Sequence, residues 1–442
     1  MSKNKTLCIA EWQTFGKEDI KAIIADESDE KAQKIFNELK AFADDKGNHI
    51  FLNSYGKNRL KARNYVGLIQ TKSGFCLEIL PKTFRTAQDK SFDEKRCVCG
   101  QSEQNPCEVC KAKNLVFDML KTSKKLPITN RLSTIQKRNT SLLEVFAMMF
   151  LNELESLIKK GIKSDYVVRE ENRAFLKGKL LFTPNLKHNF AHKERFFTAS
   201  DEFISDIAPN RLIVSTLLFL SHQNFSVKTN ARIMQSRFVF DEISPSKNYD
   251  KDFAKCVNLR HFKSYELVLL WCKVFLKRHN FIPYQGSEKA FALLFDMNEL
   301  FESFVAWHLK KTLTNHIVKA QDTGKHLLLE NGENKFRIRP DIVGYKDNKA
   351  NFIADTKWKI LNFSRNDYGI SQGDLYQVFA YLAKYQCQNG ILIYPKIDDE
   401  KEKVFTYKAE SNLQSKDKHA LKFYFFDVND AVVSAKKFAD MC

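Results

Sequence analysis

Residues Phe352-Ile-Ala-Asp355-Thr-Lys357-Trp-Lys make a β-patterned apolar run with opposite charges set into it, and no other segment limits the fold as much. Side chains alternate along a strand, so Asp355 and Lys357 leave one face while Phe352, Ala354, Thr356 and Trp358 leave the other. Upstream lies a second β-patterned segment, Arg339-Pro-Asp341-Ile-Val, and between the two is the polar turn Lys346-Asp-Asn-Lys-Ala. A hairpin symmetric about Asn348 sets Asp341 opposite Asp355, where cross-strand partners lie roughly 4.5–5.5 Å apart. Two carboxylates that close repel unless a cation or a proton sits between them. Mg²⁺ takes one or two carboxylates and leaves positions for water and phosphate oxygens. An ammonium group at Lys357 beside it helps hold the attacking water and offsets charge building on a phosphorane. The residue types suit phosphodiester hydrolysis, although the spacing alone fits a solvated strand face equally well.

The neighbouring pattern supplies a scaffold for such a site. Helical spacing runs from Asp296 to Thr314 and from Gly373 to Tyr385. The second helix carries Gln377 and Tyr381 four apart on one face, within reach of the site or a substrate backbone. β-Patterned runs at 335–345, 351–360, Gly390–Pro395 and Lys422–Asp427 complete an α/β arrangement with its own core. Earlier, helical patterns at Ser141–Lys160, Asn210–Gln223 and Tyr265–His279 make the middle mainly helical, with a strand-like insert around Arg173–Pro184. The first third joins a helix at Asp29–Ala43 to a hairpin, Tyr65–Gln70 and Phe75–Leu80, turned at Gly74. At 442 residues the chain is too long for one ordinary core. Three regions follow: 1–130, β-rich; 131–285, helical; 286–442, α/β.

Pro340-Asp341, Asp355-Thr-Lys357 and Gln377-x-x-x-Tyr381 together resemble the PD-(D/E)xK nuclease motifs. A longer ordered series resembles the McrC family, nuclease subunits of modification-directed McrBC restriction systems. It comprises Tyr65-Val-Gly, Ile79-Leu-Pro-Lys82, Leu176-Lys-Gly-Lys-Leu180, Met297-Asn-Glu-Leu-Phe-Glu302, Arg339-Pro-Asp341, Asp374-Leu-Tyr-Gln377 and Leu392-Ile-Tyr-Pro395. The resemblance implies a restriction-endonuclease-like C-terminal domain in which Asp341 and Asp355 bind Mg²⁺ and Lys357 assists the water. It also implies an upstream helical glutamate, Glu302 with Glu299 as competitor, and a McrB-like AAA+ GTPase hexamer engaged by the N-terminal region. No G-x-x-x-x-G-K-[ST] phosphate loop is present, so nucleotide hydrolysis falls to that partner.

The formal charge of +18, from 71 Lys and Arg against 53 Asp and Glu, favours a polyanion such as DNA. The polar N-terminus and the shortness of the apolar runs argue against a signal peptide and a membrane span, and for the cytoplasm. In a reducing compartment the pairs Cys97/Cys99 and Cys107/Cys110 are expected to close a tetrahedral Zn²⁺ knuckle within about 91–115, ahead of an iron–sulfur cluster or disulfides. The basic, aromatic stretch Lys187–Arg195 fits phosphate contact and a solvated loop alike. Two rivals to the endonuclease subunit stand beside it: a non-catalytic activator of the AAA+ partner, and a standalone RecB- or Cas4-like nuclease.

Overall fold

The structure is a computed structural model that describes residues 6–24, 28–84, 107–123, 140–257, 260–277, 290–397, 403–406 and 420–442. It is a mixed α/β fold in two compact units. One unit holds the described residues from 143 to 277, and the other joins those before 143 to those from 290 onward.

The first unit is built on helices Leu142–Lys159, Ala208–Ser221, Val227–Val239, Tyr249–Cys256 and Glu266–Leu276. Buried Glu144 accepts from the hydroxyls of Ser226 (2.5 Å) and Thr229 (2.8 Å), tying the first helix to the start of another. The strands of this unit are Asp165–Arg173, Lys179–Leu180 and Phe196–Ile204. They flank the insert expected at Arg173–Pro184 more than they fill it. Gly178, at φ +77°, bends the chain where an added Cβ would meet the Ala199 carbonyl at 2.3 Å. Pro184 then falls in the first turn of helix Phe182–Asn189, where its missing N–H costs nothing.

Two larger sheets organise the second unit, beside a small three-stranded sheet of Thr14–Gly16, Leu52–Ser54 and Arg59–Ala62. Strands β1 (Thr6–Ala10), β2 (Tyr65–Thr71), β3 (Cys76–Leu80) and β4 (Ala290–Asp296) lie in the order β1-β3-β2-β4. Helix α1 (Asp29–Ala43) covers this sheet with Ile35, Phe36, Leu39 and Phe42, which join Leu7, Ile9, Leu77 and Ile79 in one core. Its 3.6-residue apolar stripe matches the period-2 stripe beneath. Helix α2 (Glu108–Thr122) is attached by a buried ion pair, Lys113 Nζ to Glu78 Oε2 at 2.7 Å. The other Glu78 oxygen accepts from the Leu142 amide, so both ions are answered.

Strand β4 was not evident in the sequence, yet it pairs along its whole length with β2 and runs straight into helix α3 (Met297–Thr312). Asp296 caps that helix, its carboxylate accepting from the Asn298 amide at 2.8 Å. Beyond it the second sheet is built from β5 (Ile317–Ala320), β8 (Ile342–Lys346), β9 (Lys349–Thr356), β10 (Asn389–Pro395), β11 (Lys403–Thr406) and β12 (Ala420–Phe426). A separate two-stranded ribbon, β6 (His326–Glu330) and β7 (Glu333–Arg337), projects between β5 and β8 in sequence. The sheet order is β5-β8-β9-β10-β12-β11, with β9, β10 and β12 parallel. Helix α4 (Gln372–Tyr385) makes the β9–β10 crossover and lays Val378, Leu382 and Tyr385 on Ile353, Leu392 and Tyr394. Helix α5 (Ala431–Met441) and α3 cover the opposite face through Phe438 on Phe352 and Phe301 on Trp358.

The alternation expected for 352–358 is therefore realised, with apolar even-numbered residues against α3 and α5 and odd-numbered ones toward α4. Hairpin β8–β9 turns on Asp347 and Asn348 at φ +50° and +60°, a two-residue turn centred half a residue before Asn348. A bulge at Gly344/Tyr345 restores the register, so Ile342 pairs with Ala354. An added Cβ on Gly344 would collide with the Phe352 ring at 2.1 Å.

The two sheets are joined by a buried polar knot. The Trp358 indole N–H donates to Glu11 Oε2 at 2.9 Å, and Lys82 Nζ donates to the Trp358 carbonyl at 2.8 Å. Glu11 is fully buried. Trp358→Phe keeps the ring and withdraws the donor from a buried carboxylate, so it should cost about 1–3 kcal/mol. Urea unfolding would show this as a lowered midpoint with an unchanged slope.

Candidate active site

The ends of β8 and β9 bring the acidic residues together. Asp341 directly precedes β8, and extending the Ile342–Ala354 pairing by one step sets it level with Asp355. The Asp341 carboxylate is fixed through Oδ2, which accepts from the Thr356 amide and hydroxyl, both at 2.7 Å. Its main-chain carbonyl accepts from the Gln321 amide at 2.7 Å. One Asp341 oxygen is thereby spent on the strand end, and Oδ1 is left for other work.

Asp355 is 1% exposed. Its Oδ2 lies 2.6 Å from Lys357 Nζ, a close ion pair. Burial raises the Asp355 carboxyl above its ordinary range, Asp341 raises it further, and Lys357 only partly offsets both. Lys357 itself is held above the usual lysine value. Burial would lower it, but Asp355, then Asp374 and Asp341, outweigh that. At neutral pH Lys357 is an ammonium group, suited to donating and to neutralising, and not to abstracting protons.

Helix α3 delivers Glu302 to the same place from the other face of the sheet. Burial and then the Asp341 charge push its carboxyl upward, with Asp355 adding to the rise and Gln321 and Arg339 opposing it. Glu299, three residues earlier, is exposed in the first turn of α3. The fold thus takes Glu302 to the acidic pair and leaves Glu299 at the surface.

From α4, Gln377 Oε1 accepts from Lys357 Nζ at 3.2 Å, while its amide donates to the Tyr381 hydroxyl at 2.8 Å. Tyr381 in turn donates to the Arg339 carbonyl at 3.3 Å, fixing the segment that leads into Asp341. All six residues singled out in the sequence, Asp341, Asp355, Lys357, Glu302, Gln377 and Tyr381, share this corner.

Three further members, Asp374, Gln321 and Thr356, had been given no role from the sequence, although Asp374 and Thr356 stand in runs quoted above. Asp374 in the first turn of α4 lies 3.6 Å from Lys357 Nζ and 2.9 Å from Lys359 Nζ. Burial pushes its carboxyl up, but the Lys359 hydrogen bond and the Lys357 charge leave it below the usual range. Position gave a signal here, since Asp374 stands in the first turn of α4, where an acid complements the helix dipole and can face a nearby lysine. Gln321, at φ +49°, and Thr356 had no such signal.

Among the described residues no group of three or more His, Cys, Asp or Glu side chains converges as a metal nest. The acidic pair offers two carboxylates, with Asp341 Oδ2 already held by Thr356 and Asp355 Oδ2 facing Lys357, within what Mg²⁺ takes from protein. Cys97 and Cys99 lie outside the described residues. Cys107 stands at the N-cap of α2 and Cys110 is buried in its first turn. Of the scattered cysteines, Cys8, Cys76, Cys272 and Cys387 are buried, while Cys256 and Cys442 are partly exposed.

A family model described as McrBC 5-methylcytosine restriction system component matches residues 60–395, well over half of the chain. This chain belongs to the McrBC family. Among solved structures, the chain is similar to one from the assembly described as a refined half-complex of tetradecameric Thermococcus gammatolerans McrB AAA+ hexamers with bound McrC. The TM-score is 0.67 at 18% identity, over 99% of this chain and 100% of that one, which establishes the shared fold. A chain of the Thermococcus gammatolerans McrBC complex solved by cryo-EM gives a TM-score of 0.47 at 21% identity, over 70% and 88% of the two chains. No curated protein matches. Among the described residues no helix is long and apolar enough to cross a membrane.

The raised Glu302 carboxyl has a measurable consequence for stability. Between the ordinary glutamate range and its elevated folded value, the folded protein holds a proton that the unfolded chain has released. Stability of the metal-free protein therefore falls as pH rises through that window. Glu302→Gln should raise the urea midpoint in EDTA at pH 8, by on the order of 1 kcal/mol after solvent screening. The gain should shrink toward zero near pH 4.

Proposed function

We propose that this chain is the nuclease component of a McrBC-type restriction system, a Mg²⁺-dependent DNA endonuclease with a PD-(D/E)xK core in residues 286–442. The observation that carries the proposal is the placement of Asp341 and Asp355 at neighbouring strand ends with the Lys357 ammonium 2.6 Å from Asp355. Helix–sheet–helix layering with α4 crossing between parallel strands supports the core.

In this reading Asp341 Oδ1 and Asp355 hold Mg²⁺, which supplies Lewis-acid activation of the phosphate and of water. Glu302 closes the acidic corner from α3. Lys357 orients the water and offsets charge that develops on the non-bridging oxygens. Gln377 holds the Lys357 ammonium in place, and Asp374 keeps it charged. Tyr381 pins the Arg339 carbonyl, fixing the approach of Asp341.

The partner is a McrB-like AAA+ GTPase hexamer, engaged by the N-terminal region of the chain, and both act on DNA in the cytoplasm. Support for the partner comes from the likeness in fold to a chain of an assembly in which McrB AAA+ hexamers carry bound McrC. The charge of +18 supports the polyanionic substrate. Cys107 and Cys110, three apart at the start of α2, support a structural Zn²⁺ site completed by Cys97 and Cys99. Cys107→Ser should then release about one equivalent of zinc by mass spectrometry of the metal, and an unchanged content would remove the knuckle.

The decisive assay mixes the full chain, its AAA+ partner, Mg²⁺, GTP or ATP, and methylated or unmethylated plasmid. Lys357→Ala should lower the cleavage rate about 10²–10³-fold while partner stimulation of nucleotide hydrolysis is kept. Undiminished cleavage by that variant would sink the assignment. Stimulation by a wild-type chain that never cuts would identify a non-catalytic activator. Cutting of DNA ends without any partner would identify a RecB- or Cas4-like enzyme.

A further inference from the structure

Among the described residues ribbon β6–β7 pairs with no third strand, and it is turned on Asn331 and Gly332 at φ +51° and +84°. A surface ribbon of this kind usually carries polar residues on at least one face. Beside Glu330, Glu333, Asn334 and Arg337 this one also exposes Leu327, Leu328, Leu329 and Phe336, with Leu329 at 72% and Phe336 at 70%. Phe336 also sits at φ +55°, in the left-handed region that a bulky side chain rarely enters. Such strain persists where the surroundings hold it, and it concentrates at sites of function.

The stem of the ribbon is held against the candidate active site. The Ile338 amide donates to the Lys325 carbonyl at 3.1 Å and closes its base. Tyr385 donates to the Asp322 carbonyl on one side, and Tyr381 to the Arg339 carbonyl on the other. Both tyrosines belong to α4, the helix that holds Lys357 through Gln377. Along β7 the chain runs from Phe336 through Arg337 and Arg339 to Asp341 in five residues, about 17 Å if extended. Lys325, Arg337 and Arg339 are exposed at the base, whereas Lys335 near the tip is neutralised by Glu333 at 2.9 Å.

We propose that ribbon β6–β7 is a DNA-engaging arm: it enters a groove of the duplex beside the scissile phosphate, with Arg337 and Lys325 on flanking phosphates and Phe336 and Leu329 against the bases. The proposal rests on the nuclease reading for the place of the scissile phosphate. A two-stranded ribbon fits the major groove, and apolar side chains on such arms contact or part base steps. With one phosphate per strand every ~3.4 Å, a reach of at most ~17 Å keeps Phe336 within about five base pairs of the cut. Lys325, Arg337 and Arg339 make the stem cationic for phosphates, while Glu330 and Glu333 share Lys335 toward the turn, so what the outer part of the arm offers the bases is its apolar side chains and not charge.

The test uses the full chain carrying Lys357→Ala, so that DNA stays intact, and measures binding to a fluorescent 30-base-pair duplex in Ca²⁺ by anisotropy over a range of salt. Phe336→Gly relieves the strained backbone and removes the aromatic ring. It should raise the melting temperature while weakening DNA binding about five- to a hundredfold, opposite signs that misfolding cannot produce. Phe336→Trp should restore affinity. Arg337→Ala should reduce the slope of log affinity against log salt by about 0.9. Affinity and salt slope unchanged in both Phe336→Gly and Arg337→Ala would overturn the proposal. So would a loss confined to stimulation of the AAA+ partner, which would make the arm a protein contact. If the arm governs binding but the chain without Lys357→Ala never cuts DNA, the nuclease reading fails and the arm stands.

Discussion

A carboxylate buried at a strand end, with a second carboxylate level with it, has to be answered by positive charge, and much of the second unit is arranged around that demand. Asp355 is almost wholly out of water, and its partner at 2.6 Å is an ammonium two residues along the same strand. Burying one charge of such a pair without the other costs several kcal/mol, so the site cannot tolerate a neutral residue at 357 without a change in protonation or a replacement cation. Asp374 and Gln377 on α4 bind the same ammonium, which makes the crossover helix part of the electrostatic solution as well as of the core. The elevated Asp355 and Glu302 carboxyls show that one lysine does not fully balance three acids.

How much of this was legible in the sequence depended on whether the information was local. The two faces of 352–358 were readable because period-2 alternation is local, and α1 and α4 because apolar stripes at 3.6 are. Asp341 and Asp355 came out level for a subtler reason. The turn lies half a residue from the expected centre, and the bulge at Gly344/Tyr345 corrects the offset. Strand β4 stayed hidden since its seven residues are buried almost throughout and their partner β2 lies more than two hundred positions away. Gln321 and Thr356 were invisible because each acts through a position set only by the folded chain. Ribbon β6–β7 went unread although Asn331-Gly332 is a strong short-range hairpin signal.

The fold also explains why Glu302 and not Glu299 meets the acidic pair. Helix α3 starts at a fixed point, capped by Asp296 at the end of β4, and β4 is held in the first sheet by β2. From that origin, the three residues from Glu299 to Glu302 shift the side chain by about 60° around the helix and about 4.5 Å along it, from the surface toward the sheet. The first sheet therefore sets the phase of a helix whose working residue belongs to the second.

The Glu11–Trp358–Lys82 knot carries a consequence for the order of events in the life of the molecule. Its members come from the opening eighty-two residues and from a strand made after more than three hundred and fifty. During synthesis the early strands emerge long before β4 completes their sheet and before Trp358 reaches Glu11. Contacts of such sequence separation form late, after the cost of closing a long loop has been met. A half-made chain consequently has no assembled acidic corner. Until residues 290–358 are present, the first sheet lacks β4 and Glu11 lacks the indole that answers it.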